Sequence, residues 1–314
     1  MVRRSFSLAA TLLLAGCASA QNITIIMSTL APADSPWYKV MENMGAEWRK
    51  ISGGNVTLSI RPGGATGDEP DYVRRLRSGS IQAAALTSAG LSDIDQGVAA
   101  LQIPMMFDSY DELDYVRNRI APKLEKRLED KGFLVLNWGD AGWVQFFSTK
   151  PVTRFDDLRK LRLFIWNGNA AEEELWKANG FHVVPLAATD IVQQLETHGI
   201  DAVPTTALYA ETAELYKITR FMCDVKWAPL IGATIVSKAT WDKIPAAQRA
   251  AMLTAARKSG DQLKGDIREL GARAVVTMQE GQPGQRANKL TVTTPDAAAL
   301  AEWRKTTESV YPLM

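Results

Sequence analysis

Asp68-Glu69 and Asp140 are the nearest this sequence comes to a general acid–base pair, and they fall in separate segments. Asp68 stands at a predicted helix start, where a carboxylate ordinarily serves as an N-cap. Glu172-Glu173-Glu174 opens another predicted helix and reads as a solvated face favoured by the helix dipole. The two histidines, His182 and His198, add little. His198 precedes the helix-stop Gly199, where a cation suits the dipole, and His182 precedes an apolar strand. Gly63-Gly64-Ala65-Thr66-Gly67 lacks the following Lys-Ser/Thr of a phosphate cradle, and neither a G-x-S-x-G elbow nor H-E-x-x-H occurs. Two cysteines, Cys17 and Cys223, exclude a disulfide scaffold and a multi-cysteine zinc site. The residues supply no catalytic set and imply no cofactor or metal, so the chain reads as a non-enzyme.

Aromatic side chains are the better material. Nine tryptophans stand against two histidines. Trp37 follows the loop after the first predicted strand. Trp138 and Trp143 bracket Gly139-Asp140-Ala141-Gly142, Phe164 and Trp166 end a strand, and Trp227 precedes another. Rings at strand ends offer large, rigid contact area at low entropic cost, which suits a cleft that grips a small molecule. Trp48, Trp176, Trp241 and Trp303 lie on predicted helices and belong to the core.

Short β-rich runs alternate with helical periodicity along the chain and would carry these rings. Asn22–Met27, Val56–Arg61, Ile81–Leu86 and Phe133–Asn137 read as strands, with helices over 35–51, 68–77, 110–118 and 122–131. A second series holds strands at 144–148, 161–165, 183–184 and 200–203, a helix over 170–178 and one capped by Thr189. Pro229–Val236 then returns toward the first unit. Residues 245–280 form the longest helical pattern, with Met252, Ala256, Leu263, Ile267, Leu270, Ala274 and Met278 in step and Pro283-Gly284 as its stop. At about 1.5 Å per residue it is long enough to lie across both units. The fold class is α/β, two-lobed, with an interlobe cleft.

The chain has 314 residues with 36 basic and 35 acidic side chains, a balance that gives no support for a nucleic-acid partner. Its start reads as a signal peptide over residues 1–20, with Arg3-Arg4, an apolar run to Ala15 and the small Ala18-Ser19-Ala20. Leu14-Ala15-Gly16-Cys17 also resembles a bacterial lipobox, which would put a lipid anchor on Cys17. The first strand starts near Ile23 and leaves a very short leash, so the soluble exported form is favoured. Cys223 reads as a small buried hydrophobe.

Six segments in order then carry a family resemblance. They are Leu30-Ala31-Pro32 with Ser35-Pro36-Trp37; Arg61-Pro62-Gly63-Gly64 with Gly67-Asp68-Glu69; Ala85-Leu86-Thr87 with Gly90-Leu91; Pro151-Val152 with Asp157-Leu158; Pro185-Leu186-Ala187 through Gly199-Ile200-Asp201-Ala202-Val203; and Ala228-Pro229-Leu230-Ile231-Gly232-Ala233. Over essentially the whole mature chain the sequence resembles the DctP-type solute-binding proteins of TRAP transporters. The resemblance implies a periplasmic binding protein that closes on a small ligand, usually a carboxylate, and delivers it to a membrane permease pair. Lobe I would comprise 21–142 plus about 232–265, and lobe II 143–231 plus about 266–314, with hinges near Gly139–Gly142 and Trp227–Gly232.

One departure bears on the ligand. Family members generally place an arginine in the strand after the D-L-x-x-L segment, where its planar fork takes a carboxylate. Here that position falls on Phe164, another polar position falls on Val144, and the usual asparagine after D-A-V falls near Thr205. A two-residue slip would bring in Arg162, although Leu161 and Asn167 match the unshifted register better. The expected site is therefore Trp37, Trp138, Trp143, Phe164, Trp166 and Trp227, with polar help from Thr87, Asn167, Thr205 and Thr206 and with Asp140 nearby. The expected ligand is larger or less polar than a dicarboxylate. Three alternatives stay open: a lipid-anchored receptor for an apolar ligand that works with an accessory periplasmic protein, a ligand sensor, and a periplasmic enzyme using Asp140.

Overall fold

The computed structural model describes residues 22–281 and 289–313. The expected signal peptide, the lipobox at Cys17 and the Pro283-Gly284 stop lie outside the described residues.

Nine strands among the described residues form one sheet. In chain order they are β1 (Ile23–Thr29), β2 (Val56–Arg61), β3 (Ala83–Thr87), β4 (Phe133–Ser148), β5 (Arg162–Trp166), β6 (His182–Leu186), β7 (Ala202–Thr206), β8 (Phe221–Ser237) and β9 (Thr291–Thr293). The sheet order is β2-β1-β3-β8-β4-β7-β5-β6, with β9 added beside β8. At one end β1 runs parallel to β2 and β3, and at the other β5 runs parallel to β6 and β7. Both sets are largely apolar runs with buried inner positions, as parallel strands covered by helices require.

The antiparallel pair β4 and β8 joins the two ends. Its register runs from Phe133↔Ser237 to Ser148↔Phe221 and shifts between Val135/Asn137, Asp140/Gly142 and Val144/Phe146. The sequence suggested two short strands separated by a flexible Gly139–Gly142 loop; the structure has one long strand with bulges instead. Gly142 takes φ of +116°, a conformation that L side chains rarely adopt, and so supplies the irregularity at the middle shift.

Helices cover the sheet. Those used below are α1 (Pro36–Ile51), α2 (Glu69–Ser78), α3 (Ser88–Ser92), α4 (Tyr110–Asp130), α5 (Phe155–Arg159), α6 (Ala170–Ala178), α7 (Ile191–Glu196), α8 (Ala207–Thr212), α9 (Lys238–Trp241), α10 (Ala246–Glu280) and α11 (Ala297–Glu308). The break expected between 118 and 122 is absent: α4 runs through Pro122 because Leu113, Arg117, Leu124 and Leu128 keep one buried face in phase. Thr189 is not a helix cap but part of a short 3-10 turn, Ala188–Asp190, ahead of α7.

At 35 residues, α10 is about 50 Å long and belongs to two cores. Met252 and Ala256 pack with Ile25, Met27, Met44 and Trp48; Ile267, Ala274 and Met278 pack with Phe164, Leu195, Val203 and Met222. Between them the helix presses onto β4, where Asn137 Nδ2 donates to the Ala256 carbonyl at 3.1 Å. Gly260 makes this approach feasible. A Cβ there would lie 2.6 Å from Asn137 Cβ and 3.0 Å from the Trp138 carbonyl oxygen.

Trp48 and Trp303 are fully buried and Trp241 nearly so, while Trp176 is half-buried against Phe181 and Trp227. Cys223 is a buried free thiol, and burial pushes it up to about 12.

Gly260→Leu should therefore lower the unfolding free energy by about 1–3 kcal/mol through overpacking. Gly265→Ala, at an exposed position of the same helix with open space around it, should be neutral or stabilising by up to about 1 kcal/mol. Urea unfolding of both variants checks this, and equal losses would contradict the close approach at Gly260.

Candidate ligand-binding cleft

In sheets with parallel strands, ligands collect beyond the strands' carboxyl ends, where helix amino termini begin. Here both sets of parallel strands point those ends at one cavity of about 210 Å³. From β1, β3 and the segments after them come Thr29, Leu30, Trp37, Met41, Glu69, Leu86 and Thr87. From β5, β7 and their followers come Phe164, Trp166, Thr189, Pro204, Thr205, Thr206 and Tyr209. The bulged middle of β4 and β8 forms the floor with Asn137, Gly139–Ala141 and Leu230–Thr234, and Leu263 reaches in from α10.

Seven of the expected residues meet at this cavity: Trp37, Thr87, Asp140, Phe164, Trp166, Thr205 and Thr206. Phe164 is buried and packs edge-on against Trp166 with ring centroids 5.5 Å apart. The alternative Arg162 is turned away. Its guanidinium makes two bonds to Asp201, at 2.7 and 2.8 Å, at the exposed opposite end of β5. Val144 is buried in β4 and lies outside the cavity lining.

Four expected residues lie elsewhere. Trp138 turns toward α4, and its Nε1 donates to Glu125 Oε1 at 2.9 Å. Trp143 packs on Tyr110 at 5.3 Å, with the Lys226 ammonium 5.5 Å from its ring. Trp227 joins a cluster with Phe146, Phe155, Trp176 and Trp303. Asn167 is exposed just past β5, its backbone N–H donating to the Leu186 carbonyl. Nearness to a strand end in sequence does not say which face of a bulged strand a ring takes, and the bulges in β4 decide that.

Asp140 is not poised for proton transfer. Its Oδ1 accepts from Arg117, and its Oδ2 accepts from Arg268 at 2.8 and 2.6 Å. Asp114 on α4 binds the same two arginines, with Arg268 at 2.8 and 2.7 Å. Arg268 also lies 4.1 Å from the Tyr110 ring centroid. This ion network ties α4, β4 and α10 together beneath the cavity floor.

Glu69, dismissed from sequence as half of a scattered acid pair, is a buried wall of the cavity. It accepts from Thr87 N, Thr87 Oγ1 and Gly90 N, each at 2.8 Å. Burial pushes its carboxyl up to about 7 against the opposing pull of those donors. Asp68 does cap α2, as read from sequence: its Oδ1 accepts from Glu69 N, and Asp71 returns a bond to the Asp68 N–H. Its other oxygen accepts from Ala188 N at 2.8 Å, joining the start of α2 to the turn after β6. Burial raises Asp68 too, against the donors Ala188 and Glu69 N. Glu69, Tyr209 and Leu263 were not expected at the site. The available signal for the first two was position, since each sits in the first turn of a helix that follows a strand's carboxyl end.

Residues 27–314 match the DctP family, described as bacterial extracellular solute-binding protein, family 7. The chain belongs to this family. The C4-dicarboxylate-binding periplasmic protein DctP of Rhodobacter capsulatus is 25% identical over 267 residues, 84% of this chain and 79% of that protein. A TRAP periplasmic solute-binding protein from Shewanella oneidensis with bound succinate superposes with a TM-score of 0.84 at 16% identity, covering 92% of this chain and 93% of that one. The galactonate complex of the sugar acid binding protein DctPAm from Advenella mimigardefordensis also gives 0.84, at 19% identity over 93% and 94%. The two-lobed α/β architecture and the role of an extracellular solute-binding protein follow for this DctP-family chain. DctP-family proteins are periplasmic, and their family and fold are those of binding proteins. Among the described residues no helix is long and apolar enough to cross a membrane.

The buried Glu69 gives stability a pH dependence of definite sign. Below pH 4.5 the carboxyl is protonated whether the chain is folded or not, so the burial penalty is absent. Between 4.5 and about 7 the unfolded chain loses the proton and the folded chain keeps it, so stability falls as pH rises and levels off above 7. The loss attributable to Glu69 is about 3 kcal/mol. Urea unfolding from pH 5 to 8 should show this slope in the native chain, and Glu69→Gln should remove it. An unchanged slope in the variant would assign the effect to another group.

Proposed function

We propose that this chain is exported through its 1–20 segment and captures a small organic ligand by closing two halves over the cavity. It then hands the ligand to the permease subunits of a TRAP importer. The halves would be 21–142 with about 232–265 and 143–231 with about 266–314, turning about the bulged centre of β4 and β8. In this reading the soluble mature form is favoured over an anchor at Cys17.

The supporting observation is that one cavity is walled from both ends of the sheet and that Asp68 bonds Ala188 across it. That bond links two segments far apart in sequence, as capture by enclosure would need. A catalytic reading finds less support, because Asp140 is held by two arginines and Glu69 by three donors.

Hydrogen exchange offers a direct check. Protein purified from its own periplasm should be compared with the same protein stripped of small molecules by unfolding and refolding. The amide of Ala188 should exchange at least tenfold faster in the stripped form, because opening exposes it. Equal rates in the two forms would count against enclosure.

A further inference from the structure

The charges around the cavity are already matched, and this narrows what can occupy it. Among the described residues no lysine, arginine or histidine lines the cavity, whereas two carboxylates, Glu69 and Asp140, do. The two guanidinium groups beneath the floor, Arg117 and Arg268, are committed to Asp140 and Asp114. A ligand carboxylate placed here would lose its hydration without gaining a cation, because the arginines below already balance Asp140 and Asp114. A cationic ligand fares little better, since the oxygens of Glu69 and Asp140 already accept from Thr87, Gly90, Arg117 and Arg268.

Hydrogen-bonding capacity is left over on the donor side. The indole Nε1–H groups of Trp37 and Trp166 are buried and have no partner among the described residues. Both rings line the cavity. A buried donor left unpaired is unfavourable, and a ligand oxygen that accepts from it removes that penalty. The remaining surface is mainly apolar, with Phe164 set edge-on to Trp166 and with Leu30 and Leu263 nearby.

We propose that the cavity takes an uncharged organic molecule with an apolar body and one or more carbonyl-type oxygens, as in a ketone or amide, whose lone pairs accept from the Nε1–H groups of Trp37 and Trp166. The proposal rests on the reading of this cavity as the solute site, and it replaces charge pairing with acceptor geometry as the basis of selection. A hydrophobic wall contributes affinity in proportion to buried area, and the two indole donors fix the orientation.

A matched series on one body tests it: phenylacetamide, phenylacetate and 2-phenylethylammonium, titrated by calorimetry at one pH beside succinate and galactonate. Phenylacetamide should bind at least tenfold more tightly than any charged probe. Trp37→Phe and Trp166→Phe keep a ring but remove the N–H, so each should weaken the amide at least threefold. Circular dichroism and melting should show both variants folded. Tightest binding by phenylacetate, succinate or galactonate would overturn the ligand class while leaving the receptor reading intact, and so would tightest binding by the ammonium. If none of the probes binds, the molecule carried by protein from its native periplasm decides. A neutral compound supports the proposal, whereas an acid or amine overturns it. A preparation that carries nothing and binds no probe would remove the receptor reading together with the proposal.

Discussion

The ladder between β4 and β8 is the constraint on which the rest of the structure depends. Two strands of 16 and 17 residues pair along their length, and each end of the pair receives one set of parallel strands. Because β3 and β7 attach on opposite sides of this pair, their carboxyl ends meet over its middle. The register shifts fall at that middle, so the backbone there is bent and carries small residues such as Gly139, Ala141 and Gly232. A regular ladder would have filled this space with alternating side chains. The bulges leave room for a cavity and turn Trp138 and Trp143 off its face.

Charge is arranged to the same end. Asp114, Asp140, Arg117 and Arg268 form a buried or half-buried set that links three elements under the cavity. Removing one member of such a set would strand a buried charge, whereas the intact set is satisfied. These two arginines therefore serve the scaffold, and no arginine among the described residues lines the cavity. The family fold is thus kept over a floor whose charges are already paired.

Much of this was legible in the sequence. Alternating strand and helix patterns gave the α/β class, the stripe from Met252 to Met278 gave the spanning helix, and the step to Phe164 located a cavity wall. The site was half readable, and the reasons are physical. Trp37, Phe164 and Trp166 follow or end regular parallel strands, where position predicts direction. Trp138, Trp143 and Trp227 lie on or beside irregular strands, where a single extra residue reverses the face. Glu69 was missed because its role comes from Thr87 and Gly90, contacts made only when β3 and α2 pack together.

The hydrogen bond from Ala188 to Asp68 also has a thermodynamic meaning. When the two sides separate, water can bond to both groups, so the contact retains only the net worth of a charge-assisted bond, about 1.5–3 kcal/mol. Converting a population that is 99% open into one that is 99% closed takes about 5.5 kcal/mol. One carboxylate clasp falls well short of that. In the closure proposed above, the balance between conformers would therefore be set chiefly by the occupant, and a membrane partner that senses the closed shape would be reporting occupancy.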